Sequence, residues 1–159
     1  MRKYGLPVCI LLTSVLYIFW IPEDPHAVKL LFKLIPMWLI IAYACLSVPA
    51  GRRPYLPIVG GLIFCMLGDG LLGWFVVGLS AFLIGHLFYT AGFAGWRRPT
   101  AWRKAAVVPI ALFACYMGWM LMQALLDDGK AVLVAPVLLY IAVISLMAWS
   151  AILTGNKWA

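Results

Sequence analysis

Charge is missing from most of this chain in long runs, and that constrains the fold more than any motif does. Uncharged stretches run Tyr4–Ile21, Leu34–Gly51, Ala105–Leu126 and Ala131–Asn156, and Pro54–Trp96 carries only Asp69 and His86. A bilayer core needs about 20 apolar helical residues per crossing. The first four stretches, of 18, 18, 22 and 26 residues, each fit one crossing, and the fifth, of 43, fits two. The chain therefore reads as all-α: a polytopic transmembrane bundle of six helices, forming one domain over residues 1–159. With 66% hydrophobic residues and 11% charged, against about 25% charged in soluble domains, a water-soluble fold is excluded. An integral, multi-pass protein is expected, which in a bacterium means the inner (cytoplasmic) membrane.

The few charges sort by side. If six helices alternate across the bilayer, one face receives Arg2, Lys3, Arg52, Arg53, Arg97, Arg98, Arg103, Lys104 and Lys157 with no acid. The other receives Lys29, Lys33 and Lys130 with Glu23, Asp24, Asp127 and Asp128. Cytoplasmic loops collect Lys and Arg, so both termini are predicted to be cytoplasmic. The net charge of +7 is thus a topology signal and does not point to nucleic acid. Arg2-Lys3 before an apolar run looks like a signal peptide, but Trp20-Ile21-Pro22-Glu23 holds no small-residue cleavage site, so the segment is read as a retained first helix.

In outline, the first helix covers about residues 4–21 and ends at Pro22. The second begins near Val28, with Lys29 and Lys33 in its first two turns, where their stems can snorkel to the border, and Pro36 inside it predicts a kink. The third runs from Tyr55 to Leu72, a turn falls at Gly73-Trp74, and the fourth runs from Phe75 to Phe93. After the basic loop from Arg97 to Lys104, the fifth and sixth helices flank Asp127-Asp128-Gly129. Cys9, Cys45, Cys65 and Cys115 occupy different apolar stretches without metal or redox spacing, and read as small buried hydrophobes.

Ionisable groups inside membrane helices cost roughly 2.5–3.5 kcal/mol on insertion scales and usually mark function. Asp69 and His86 are the two here. Asp69 lies 14 residues into the third helix, roughly 21 Å along it. Gly68, Gly70 and Gly73 let a helix or ligand approach beside the carboxyl, which is a candidate general acid. The plainer reading is an Asp hydrogen-bonded to a neighbouring helix. Phe82, His86, Tyr89 and Phe93 share one face of the fourth helix, and Gly78, Gly85 and Gly92 form a small-residue seam beside it. His86 is either a hydrogen-bonded core residue, with Asp69 or Tyr89 as partner, or a catalyst. Lys33 either snorkels or turns inward to contact a phosphate. Glu23 and Asp24 are either solvated loop acids or a seat for a polar head group. There is no nucleophile elbow, phosphate loop or HExxH motif, and no metal or cofactor is expected.

Four motifs, Trp20-Ile21-Pro22-Glu23-Asp24, Lys33-Leu34-Ile35-Pro36, Gly68-Asp69-Gly70-Leu71-Leu72 and Phe82-Leu83-Ile84-Gly85-His86-Leu87-Phe88-Tyr89 with Phe93, resemble those of the YhhN-type lysoplasmalogenases in order and spacing. The resemblance implies hydrolysis of the vinyl ether bond of lysoplasmalogens, releasing a fatty aldehyde and glycerophosphocholine or glycerophosphoethanolamine. The reaction wants a proton donor and a group that positions or deprotonates water: Asp69 supplies one, and since the family's partner comes from a later segment, His86, or as second choice Asp24, is the substitute, with Lys33, Tyr89, Glu23 and Asp24 as candidate contacts of the lysophospholipid substrate. The family pattern has eight helices, with a second acidic motif of the Ser-Asp type in a later one, and this chain ends about where that segment would begin. By resemblance it corresponds to the first six helices of eight, either as a truncated product or as a protein whose missing surface is supplied by another chain or by another copy in a homo-oligomer. A different class also fits the residues: a small membrane transporter or helix-bundle partner in which Asp69 and His86 relay protons or anchor a neighbour.

Overall fold

When lipid is the solvent, large apolar side chains can face outward, and the computed structural model of the chain shows this. The structure describes residues 2–20, 26–47 and 55–155. Phe19, Leu46 and Leu56 are each more than three-quarters exposed, whereas the buried positions include Gly61, Gly68, Ala81, Gly85 and Ser150. Such a surface would aggregate in water. Against acyl chains it is neutral, and the helices are held by close packing of small residues.

Helices α1 (Arg2–Trp20), α2 (His26–Ser47), α3 (Tyr55–Gly70), α4 (Phe75–Ala94), α5 (Ala101–Ala105), α6 (Val107–Asp127) and α7 (Val134–Thr154) make up the fold, with no strand among the described residues. The segments 75–94, 101–127 and 131–154 are long and apolar enough to cross a membrane; shorter apolar helices cover Gly5–Phe19, Leu30–Leu46 and Tyr55–Gly70. Among the described residues six apolar helices, three of them long enough to cross a membrane, match the six stretches of sequence, and the protein is an integral, multi-pass membrane protein.

Three details differ from expectation. Helix α3 stops at Gly70, before Leu72, because the chain turns there: the Leu71 N–H donates to the Leu67 and Gly68 carbonyls, and the Trp74 N–H donates to the Leu71 carbonyl. The basic loop contains the short helix α5, which α6 follows after a break at Ala106. Of the cysteines, only Cys65 is buried; Cys9, Cys45 and Cys115 are exposed, since a thiol on a uniformly apolar helix faces lipid as readily as protein. Helix α2 continues through Pro36, which is buried.

Neighbouring helices pack in the order α1, α2, α3, α4, α7, α6. The last helix thus lies between α4 and α6. The closest pair is α3 with α4, along the glycine seam. A Cβ on Gly85 would stand 2.8 Å from the Cys65 sulfur and 3.0 Å from the Gly61 carbonyl oxygen, and one on Gly78 would stand 3.2 Å from the Gly68 carbonyl oxygen. Phe82 and Tyr89 cover Gly68 and Gly61 in the same way. Glycine is required at these positions for backbone approach, so the two helices that carry the ionisable residues are locked in register.

Candidate active site

The register of α3 and α4 sets where the two ionisable groups stand. Cys65 lies opposite Gly85, so the level of His86 falls near residue 64. Asp69 is about five residues further along, roughly 8 Å at 1.5 Å per residue. The two are therefore not direct partners, and each belongs to its own polar cluster.

Asp69, next to the last residue of α3, meets Lys33 of α2: the Lys33 Nζ lies 2.6 Å from Asp69 Oδ1, with the side chains 29% and 19% exposed. Lys33 turns inward, towards an acid where a border or phosphate contact was expected. At this distance the pair is a charge-assisted hydrogen bond, partly shielded from the surroundings. Gly70 and Gly73 beside it have open space where a Cβ would stand, leaving room next to the carboxyl.

His86 is buried, and its Nδ1–H donates to the Phe82 carbonyl one turn earlier at 2.6 Å. A carbonyl only accepts, so this bond keeps a proton on Nδ1 and leaves Nε2 as the ring's other functional atom. The ring meets Tyr140 of α7 edge-on at 5.4 Å and Tyr89 at 5.9 Å. Tyr89 in turn is hydrogen-bonded to the Cys65 thiol. Helices α3, α4 and α7 thus supply one cluster in the middle of the bundle: Cys65, His86, Tyr89 and Tyr140.

Of the residues singled out in the sequence, Asp69 joins Lys33, and of the two partners open to His86, Asp69 and Tyr89, the ring meets Tyr89. Glu23 and Asp24 lie outside the described residues. Tyr140 and Cys65 were missed. Tyr140 is the one tyrosine of α7, and Cys65 falls between Gly61 and Asp69 at i and i+4 spacing, so both signals were present. Among the described residues no three His, Cys, Asp or Glu side chains group as a metal site.

A membrane-embedded helical bundle with an acid and an imidazole on adjoining helices, each tied to a fixed partner, is the class these observations define. The sequence profile of the YhhN family matches residues 28–159, and the chain belongs to that family. Over 159 residues it is 30% identical to "Lysoplasmalogenase TMEM86A" of Homo sapiens, covering 92% of this chain and 63% of that protein. The Bos taurus protein of the same name is 28% identical over 163 residues, with the same coverage. "Lysoplasmalogenase TMEM86B" of Rattus norvegicus is 31% identical over 96 residues, 58% of this chain and 40% of that protein. The chain therefore spans about three fifths of the length of the TMEM86A proteins it matches. No solved structure matches it.

Proposed function

We propose that this chain acts as a lysoplasmalogenase-like membrane hydrolase, which cleaves the vinyl ether bond of a lysophospholipid. The observation that carries the reading is the Lys33–Asp69 pair, within a family whose curated members are named for that activity. Vinyl ether hydrolysis begins with proton transfer to the alkene carbon, giving an oxocarbenium ion. Water adds to that ion and loses a proton, and the hemiacetal collapses to aldehyde and alcohol. The reaction needs a proton donor and a group to take the water's proton, and no metal.

Asp69 is the donor in this reading. The Lys33 ammonium moves from the carboxylate to the substrate's phosphate and seats the head group at the same end of the bundle; Asp69, without its counter-charge, takes up a proton from water and delivers it to the alkene carbon. His86 takes the water's proton through Nε2, Nδ1 being committed to Phe82, and Tyr89 beside it contacts the substrate. Glu23 and Asp24 hold the ammonium of the head group. The substrate enters sideways from the lipid, its chain lying along the helices. Both termini lie in the cytoplasm, with Asp69 in the outer half of the bilayer.

Asp69→Asn tests the assignment. In the protein reconstituted with a lysoplasmenylethanolamine, aldehyde release should fall at least about 10²-fold, the usual contribution of a general acid, while folding is retained. Undiminished release would remove Asp69 from the mechanism.

A further inference from the structure

The opposite end of the bundle holds a second polar centre that the hydrolase reading does not use. A cavity of about 500 Å³ is lined by Tyr55, Trp96, Arg97, Arg98, Thr154 and Gly155 among others. Tyr55 precedes Asp69 by 14 residues on α3, which separates this cavity from the Lys33–Asp69 pair by roughly 21 Å.

The loop that carries the arginines is pinned to the end of α7. Arg97 Nη2 approaches the fully buried Ser150 Oγ at 3.4 Å, and the Arg98 N–H donates to the Leu153 carbonyl at 2.8 Å. Arg103 Nη1 donates to the Arg98 carbonyl at 2.9 Å, and its guanidinium lies against Gly155, where a Cβ would have no room. Tyr55 and Trp96 meet edge-on at 5.1 Å and 72°, forming an amphipathic wall of the kind found at membrane borders. The acids among the described residues, Asp69, Asp127 and Asp128, all lie at the far ends of their helices, so none neutralises this loop. Keeping cations on one side of a bilayer requires only charge. It requires neither a hydrogen-bonded frame nor a cavity.

We propose that this cavity binds a phosphate group through Arg97 and Arg98, carried either by the head group of an anionic phospholipid or by a soluble phosphate. Guanidinium forks match phosphate oxygens in pairs, and the frame holds the loop in place before the ligand arrives. The proposal does not rest on the hydrolase reading.

The test uses the full chain in nonionic detergent micelles, titrated with phosphatidylglycerol, phosphatidylcholine or inorganic phosphate and followed by native mass spectrometry and thermal midpoint. Phosphatidylglycerol should bind saturably at one molecule per chain, and R97Q/R98Q should weaken it about tenfold or more. K104Q, which removes one charge from the same basic segment at a residue that does not line the cavity, should change it less than about twofold. If R97Q/R98Q does not fold, R98Q alone leaves the Arg97–Ser150 contact in place and should still weaken binding. Competition by millimolar inorganic phosphate would identify a soluble phosphate as sufficient; binding of phosphatidylglycerol without such competition would identify the lipid. Saturable binding of neither phosphatidylglycerol nor inorganic phosphate would overturn the proposal. So would full binding by the arginine variants, or a loss in K104Q equal to that in R98Q, which would reduce the effect to diffuse charge.

Discussion

Gly85→Ala gives the sharpest test of how the site is held. The added methyl would stand 2.8 Å from the Cys65 sulfur, 3.0 Å from the Gly61 carbonyl oxygen and 3.4 Å from the Cys65 nitrogen. Two of these three atoms are backbone of α3 and cannot turn aside, and the sulfur is hydrogen-bonded to Tyr89. Restoring ordinary contact needs the helices to part by roughly 0.6 Å, an overpacking that costs about 1–3 kcal/mol. Any glycine-to-alanine change inside a helix also gains up to about 1 kcal/mol of propensity. Gly118→Ala provides that reference, because its methyl would meet the tip of Leu138 at 3.3 Å, a flexible side chain that can yield. Unfolding in mixed detergent micelles, followed by circular dichroism, should therefore rank Gly85→Ala about 1–3 kcal/mol less stable than Gly118→Ala. Parting α3 from α4 also disturbs Cys65, His86 and Tyr89 together, so aldehyde release should fall with stability. Equal stability of the two variants would show that the seam does not hold the site.

A double-mutant cycle of Lys33→Met and Asp69→Asn should give a coupling of about 1–2 kcal/mol in the same unfolding assay, between the values for exposed and buried pairs; no coupling would remove the pair from the fold's support. His86→Phe keeps an aromatic ring against Tyr140 but loses the bond to the Phe82 carbonyl, so stability should change by less than about 1.5 kcal/mol, while vinyl ether hydrolysis falls about 10²-fold. Wild-type turnover in that variant would leave His86 a packing residue. Gly155→Ala should destabilise more than Gly129→Ala: both have positive φ, 64° and 70°, but only the first would drive a methyl into Arg103. Left-handed strain alone costs about 1–2 kcal/mol, and thermal midpoints of the two variants measure the excess.

The helices themselves were readable, because a long run without charge has few structural options. Asp69 and His86 stood out by rarity, and the seam of Gly78 and Gly85 by spacing. Their partners did not. In a soluble helix an apolar stripe says which face turns inward, whereas α4 and α7 are apolar all round and their rotation is set by packing alone. Nothing in the sequence therefore aims Tyr140 at His86, or Lys33 at Asp69 across 36 residues of chain. The same uniformity hides which cysteines face lipid. It also hides that α7 packs between α4 and α6.

That placement of α7 has a consequence for biosynthesis. The chain emerges in order, so α6 reaches the bilayer before the helix that separates it from α4. Until α7 arrives, α4 shows lipid the face that carries His86, and α6 has no helix on its inner side. Insertion must keep α4 and α6 apart, or open them again, before the last helix can enter and bring Tyr140 to the histidine. Tyr140 is thus the last member of the middle cluster to arrive, and a ribosome stalled before residue 134 would leave a product that holds the Lys33–Asp69 pair and the Cys65–Tyr89 bond without it.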